Sequence, residues 1–181
     1  MELEWEVSVP LMPKYLLTLD QSTDITGYAL FEDEKLIKYG HLSPRGEYLE
    51  RIVQLDDWLE EIIAEYGDNI EIAIEDIQLQ ERGPNGGGRN YSLGVVVFKK
   101  LAHAQGTILT TMTRRKVPYQ VVSSASWKST CGIKGKQRNE QKKNAKAFVL
   151  NEYGVEVPQD EADAICIGYH VLNNRGISWT K

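Results

Sequence analysis

The sequence predicts an α/β fold built on a mixed five-stranded sheet flanked by helices. Residues 14–41 hold three short apolar runs separated by polar turns, which reads as a meander of strands. A stretch of helical period, Glu47–Tyr66, comes next, and Ile70–Ile77 then returns as a cleanly alternating strand. Strands joined first by tight turns and then through a helix make a sheet with antiparallel and parallel pairs. At 181 residues the chain fits one domain, burying about two thirds of its unfolded surface. We divide it into an N-terminal extension (1–13), a domain (14–175) and a C-terminal tail (176–181).

Residues 1–13 carry Glu, Trp and two prolines without a clear period, and admit three readings: a tail, an added strand or a partner contact. Lys14–Asp20 is the first strand, Thr26–Phe31 the second and Lys35–His41 the third, with Glu32-Asp33-Glu34 as a charged turn. In Glu47–Tyr66 the apolar positions Leu49, Ile52, Val53, Leu59, Ile62, Ile63 and Tyr66 form one stripe, closed by Gly67. Asp56, Asp57, Glu60 and Glu61 on the other side read as a solvated face. The segment Glu81–Asn90 is a glycine-rich loop that lacks both the Lys-Ser/Thr ending of a phosphate loop and the dinucleotide glycine pattern. A long helix is predicted over Tyr91–Arg115, where Gly94 and Gly106 offer close packing within the domain or across a dimer. Tyr119–Ser123 is the fifth strand. Ser124–Ser129, Arg138–Glu152 and Asp160–Leu172 are helices.

The formal charge is −5 and the pI about 5.3, but the distribution says more than the sum. Acids concentrate before residue 80, whereas Lys128, Lys134, Lys136, Arg138, Lys142, Lys143 and Lys146 face the single acid Glu140. No apolar run approaches the roughly 20 residues needed to span a bilayer. The first residues show no basic segment followed by an apolar core, so we expect no secretory signal. Cys131 and Cys166 match no metal spacing and read as reduced thiols. A cytoplasmic protein of a bacterial or phage-infected cell is the expectation.

The chemistry concentrates in carboxylates at element ends. Asp20 closes an apolar strand and enters the turn Gln21–Asp24; by itself that is equally compatible with a hairpin whose acid bonds its own turn. Glu75 and Asp76 end the fourth strand on opposite faces, so only one of them can join a given site. Asp160 and Asp163 share one face of a helix's first turn. Asp160 alone would complement the helix dipole; Asp163, running into Ala164-Ile165-Cys166-Ile167, needs a partner, and a metal is a good one. Oxygen-only donors suit Mg²⁺, and two ions about 3.5–4 Å apart support phosphodiester cleavage.

Leu19-Asp20-Gln21-Ser22-Thr23-Asp24-Ile25-Thr26-Gly27-Tyr28-Ala29, then Ile72-Ala73-Ile74-Glu75, then Asp160-Glu161-Ala162-Asp163-Ala164, in this order and spacing, resemble the RuvC Holliday-junction resolvases. Ser126-Trp127-Lys128 and Gly132-Ile133-Lys134-Gly135 resemble their bacteriophage-type relatives. The resemblance covers Lys14–Leu172. It implies an RNase H-like fold, a homodimer and an endonuclease using two Mg²⁺ ions, with Mn²⁺ substituting. It maps the catalytic, metal-binding acids onto Asp20, Glu75, Asp160 and Asp163, and leaves Asp24 and Asp76 outside. Three residues after Glu75 the family carries an aromatic wedge where this chain has Gln78, and the following loop is longer and richer in glycine. Those departures narrow the implied substrate to branched DNA in general, four-way junctions and forks.

Candidate DNA contacts are Arg82 and Arg89 in the loop, and Lys128, Lys134, Lys136, Arg138, Lys142 and Lys146 in the basic tract. Such cations grip phosphates without reading sequence. His41, His103 and His170 show no ligand spacing, and Trp127 reads as a core anchor. Two other classes compete: a catalytically silent branched-DNA binding module, and an actin-like ATPase, which would need a second phosphate loop and a longer chain. For the homodimer, the helix Tyr91–Arg115 is the first choice of surface.

Overall fold

A computed structural model of the chain describes residues 13–78 and 89–175, without the side chains of 89–93. The elements run β1 (Tyr15–Asp20), β2 (Thr26–Glu32), β3 (Lys35–Leu42), α1 (Tyr48–Tyr66), β4 (Ile70–Glu75), α2 (Arg89–Arg115), β5 (Tyr119–Val122), α3 (Ser124–Thr130), α4 (Arg138–Tyr153) and α5 (Gln159–Asn173). The sheet order is β3-β2-β1-β4-β5. The meander pairs antiparallel, and β1–β4 and β4–β5 pair parallel, as the mixed pattern predicts. Asp33 and Glu34, at φ 45° and 71°, make the tight turn between β2 and β3 that matches the strands' right-handed twist.

Alternation along the strands sorts the core into two layers. Leu17, Leu19, Leu30, Ile70, Ile72 and Ile74 point toward α1 and α2 and are buried with Leu55, Leu59, Ile108 and Met112. Leu16, Ala29, Phe31, Ala73 and Val122 point the other way and are buried with Trp127, Val149, Ile165 and Val171 of α3, α4 and α5. Asp20 follows Leu16 and Thr18 by twos, and Glu75 follows Ala73, so both carboxylates lie on the α3–α4–α5 side.

Three expectations need correction on the α1–α2 side. Leu49 and Val53 are 68% and 57% exposed; the stripe that reaches the sheet runs through Leu55, Leu59, Ile62 and Ile63 instead. Gly94 and Gly106 face open space, where an added Cβ would meet nothing within 4 Å, so neither brings α2 close to another element of the domain. The solvated acid face is partly a bonded one: Asp56 accepts from Thr111, and Glu60 pairs with Arg114 and Arg115, both at 2.6 Å. β4 stops at Glu75, two residues before the predicted end, and Asp76 donates its N–H to Val122 at 2.8 Å. Arg89 and Asn90, read as loop, belong to the first turn of α2. Among the described residues no helix is long and apolar enough to cross a membrane.

Candidate active site

The site is assembled by strand register and by one close backbone approach. β1 and β4 run parallel with Leu19 opposite Ile74, so the next residues, Asp20 and Glu75, end neighbouring strands side by side. On the other flank Asp20 pairs with Gly27 of β2. A Cβ on Gly27 would lie 2.0 Å from the carbonyl oxygen of Asp160, so only glycine lets the N-terminus of α5 rest on the strand there. Farther along α5, a Cβ on Gly168 would meet the Phe31 ring at 2.1 Å. Thr18, fully buried, donates its hydroxyl to the Ala164 carbonyl at 2.7 Å. His41 of β3 bonds the Glu161 carboxylate at 2.7 Å. These contacts fix α5 with Asp160 and Asp163 above the ends of β1 and β4.

The electrostatics report the convergence. Burial, then the charges of Glu75, Asp163 and Asp160, then a hydrogen bond with Glu75, hold the Asp20 carboxyl well above the usual carboxylate range. Asp163 is pushed up to about 6, chiefly by burial; Glu75 and Asp160 add to this, while a hydrogen bond from Gln159 and the charge of Lys128 oppose it. Ion pairs form elsewhere on the molecule, but none of the four acids joins one among the described residues. Asp24 is paired with Arg51.

Several residues around the acids carried no functional reading in the sequence. Gln21, 4% exposed, uses its side-chain amide as an extra rung between the strands: Nε2 donates to the Glu75 carbonyl at 2.5 Å, and the Glu75 N–H donates to Oε1 at 3.2 Å. Trp127 is the predicted core anchor, 1% exposed, and its Nε1 also donates to Glu75 Oε1 at 2.9 Å. Gln159 Nε2 donates to Asp163 Oδ1 at 2.7 Å. The i, i+4 spacing of Gln159 and Asp163 was a readable signal. For Trp127 there was none, because the contact crosses from α3 to β4.

The donor set is all oxygen, from unpaired carboxylates, and the buried Gln159 Oε1 beside Asp163 has no hydrogen-bond partner. Both features fit a hard divalent cation such as Mg²⁺ or Mn²⁺, which the four acids would hold. Among the described residues no three such side chains are yet gathered closely enough to ligate an ion.

Of the predicted DNA contacts, Lys128 lies on α3, close enough for its charge to act on Asp163. Lys134 and Lys136 are exposed in the connection to α4, and Arg138, Lys142 and Lys146 are exposed at successive four-residue steps along α4. Ala145 and Val149 of α4 are buried in the core, with Phe148 packed beside them, and the exposed cations flank them along the helix. Arg82 and the side chain of Arg89 lie outside the described residues. His103 bonds Tyr48 at 2.5 Å and His170 bonds Thr130 at 2.7 Å. Cys131 and Cys166 are buried free thiols.

Two structures of Thermus thermophilus RuvC share this architecture. One, in complex with a Holliday junction substrate, aligns with a TM-score of 0.65 at 14% identity, covering 91% of this chain and 96% of that chain. The other aligns with a TM-score of 0.66 at 16% identity, covering 90% and 96%. This is a RuvC-like, RNase H-like fold. No protein-family model matches the chain, and no curated protein sequence matches it. The RuvC-like fold spans nearly the whole of both chains, from the meander to α5.

Proposed function

We propose that the protein is a metal-dependent endonuclease that hydrolyses phosphodiester bonds in branched DNA, four-way junctions and forks among them. The observation that carries the reading is the convergence of Asp20, Glu75, Asp160 and Asp163, partly buried and without ion-pair partners among the described residues, at the ends of β1 and β4 and the start of α5. Buried carboxylates without counter-charges cost stability, and acids converging at these element ends without ion-pair partners among the described residues suit a cation. Divalent ions bound there supply an ionised water and charge stabilisation at the leaving oxygen. Asp20, Glu75, Asp160 and Asp163 would hold these ions, with Asp20 central in the set.

The chain's own residues divide the work. The carboxylates would hold the cations in their ionised form, and without metal burial pushes Asp163 up to about 6. Arg138, Lys142 and Lys146 form an exposed row that tracks a phosphate backbone, and Lys134 and Lys136 extend it toward α3. Lys128 on α3 acts by its charge on Asp163. The bacteriophage-type affiliation, suggested by the Ser126-Trp127-Lys128 tract, and a homodimer acting on symmetric strands belong to the same proposal. The exposed Val96 and Val97 on α2 support a dimer surface there.

The test is Mg²⁺-dependent nicking of a synthetic four-way junction compared with linear duplex of the same sequence. Cleavage of the junction alone, yielding 5′-phosphate and 3′-hydroxyl ends, is the expected result. Tight junction binding without turnover in Mg²⁺ or Mn²⁺ would overturn the nuclease in favour of a silent binding module.

A further inference from the structure

We infer that Trp127 and Gln159 are positioning residues that select which oxygens of Glu75 and Asp163 face the divalent ions, an inference that rests on the metal-site reading above. Each donates one N–H to one oxygen of an acid: Trp127 Nε1 to Glu75 Oε1 at 2.9 Å, and Gln159 Nε2 to Asp163 Oδ1 at 2.7 Å. Each of these bonds fixes the plane of its carboxylate. Both donors are neutral. A lysine or arginine in their place would orient the acid equally well but would neutralise it and compete with the metal.

The two donors are themselves fixed. Trp127 is 1% exposed in the core between α3 and α5, so its ring cannot swing away without opening the packing. The α3 helix that carries it is capped by Ser123, whose Oγ accepts the Ser126 N–H at 3.1 Å. Gln159 sits in the first turn of α5, one turn before Asp163, where i, i+4 side chains meet. Gln21 completes the arrangement from the backbone side by tying the Glu75 peptide to the end of β1. The Glu75 side chain is therefore set at both its root and its tip. Partners of this kind, which orient ligands without touching the metal, typically change metal affinity about 10–100-fold when removed.

The experiment is a Mn²⁺ titration of the full-length protein without DNA, with free Mn²⁺ followed by electron paramagnetic resonance and melting of the metal-free protein recorded alongside. Gln159→Met keeps length and helix propensity but removes the amide. It should weaken Mn²⁺ binding about 10-fold with little change in metal-free melting. Trp127→Phe, which keeps an aromatic core and removes the N–H, should weaken it about 10–100-fold, whereas Trp58→Phe on the opposite face should not. If Trp127→Phe fails to fold, Gln159→Met decides alone. Wild-type Mn²⁺ affinity in Gln159→Met would overturn the inference while leaving the nuclease reading intact. Absence of Mn²⁺ binding by the wild-type protein would overturn both.

Discussion

The two helix layers of this domain treat acidic side chains in opposite ways. On the α1–α2 side Glu60 is bonded by Arg114 and Arg115 at 2.6 Å each. Burial works to raise its pKa, yet those bonds outweigh it and leave Glu60 below the usual range. On the α5 side Asp20 and Asp163 are raised, and no arginine or lysine pairs with them among the described residues. The docking differs in the same sense. The α5 helix is fixed to the strands by Gly27, Gly168 and the Thr18–Ala164 bond, whereas the glycines of α2 face open space. One layer is stabilised by its charges, and the other is held rigid so that its charges can stay unpaired. Rigid elements placing strained groups are what a catalytic constellation requires.

The contrast can be broken most severely at Gly27. Gly27→Ala would force a methyl against the Asp160 backbone, costing about 1–3 kcal/mol and lifting the acids of α5 off the site. Chemical denaturation should show that loss together with loss of nicking. The matching change on the other layer, Gly94→Ala, should stabilise by about 0.5–1 kcal/mol, because its Cβ meets nothing.

A smaller effect should appear in the pH dependence of stability. Asp20 and Asp163 bind protons more tightly in the folded than in the unfolded protein. Their contribution is therefore most favourable below the ordinary carboxylate range and falls as pH rises, for Asp163 through about 6. For Asp163, raised from 3.8 to about 6, the cost above that window is at most about 3 kcal/mol. Saturating Mg²⁺ should accordingly raise the melting temperature by several degrees more at about pH 8 than at about pH 5. The smallest effect is expected for Glu60→Gln, which removes half-exposed pairs and should cost about 1 kcal/mol or less, with junction nicking unchanged.

Much of this arrangement was legible in the sequence because it follows from local rules. Alternation put Glu75 on the face of Ala73, and helical spacing put Asp160 and Asp163 in one turn, and these two placements hold, whereas Asp76 falls beyond the end of β4. The row Arg138, Lys142 and Lys146 was readable for the same reason. Contacts between elements distant in sequence were not. That Gly27 meets Asp160, that Gln21 bridges β1 and β4, and that Trp127 reaches Glu75 depend on how layers stack, which no single-strand or single-helix period encodes. The misplacement of Leu49 and Val53 in the buried stripe has the same origin. Periodicity finds an apolar face, but the neighbouring helix decides how much of it is covered.

The central claim is that Asp20 serves a bound cation and not the fold. Asp20→Asn keeps size and hydrogen bonding while removing the charge, and relieves repulsion at the most crowded point of the cluster. Nicking of a labelled four-way junction in Mg²⁺ should fall by about 10²–10³-fold or more, with junction binding retained and stability equal to or above that of the unaltered protein. Undiminished cleavage by Asp20→Asn would contradict the account.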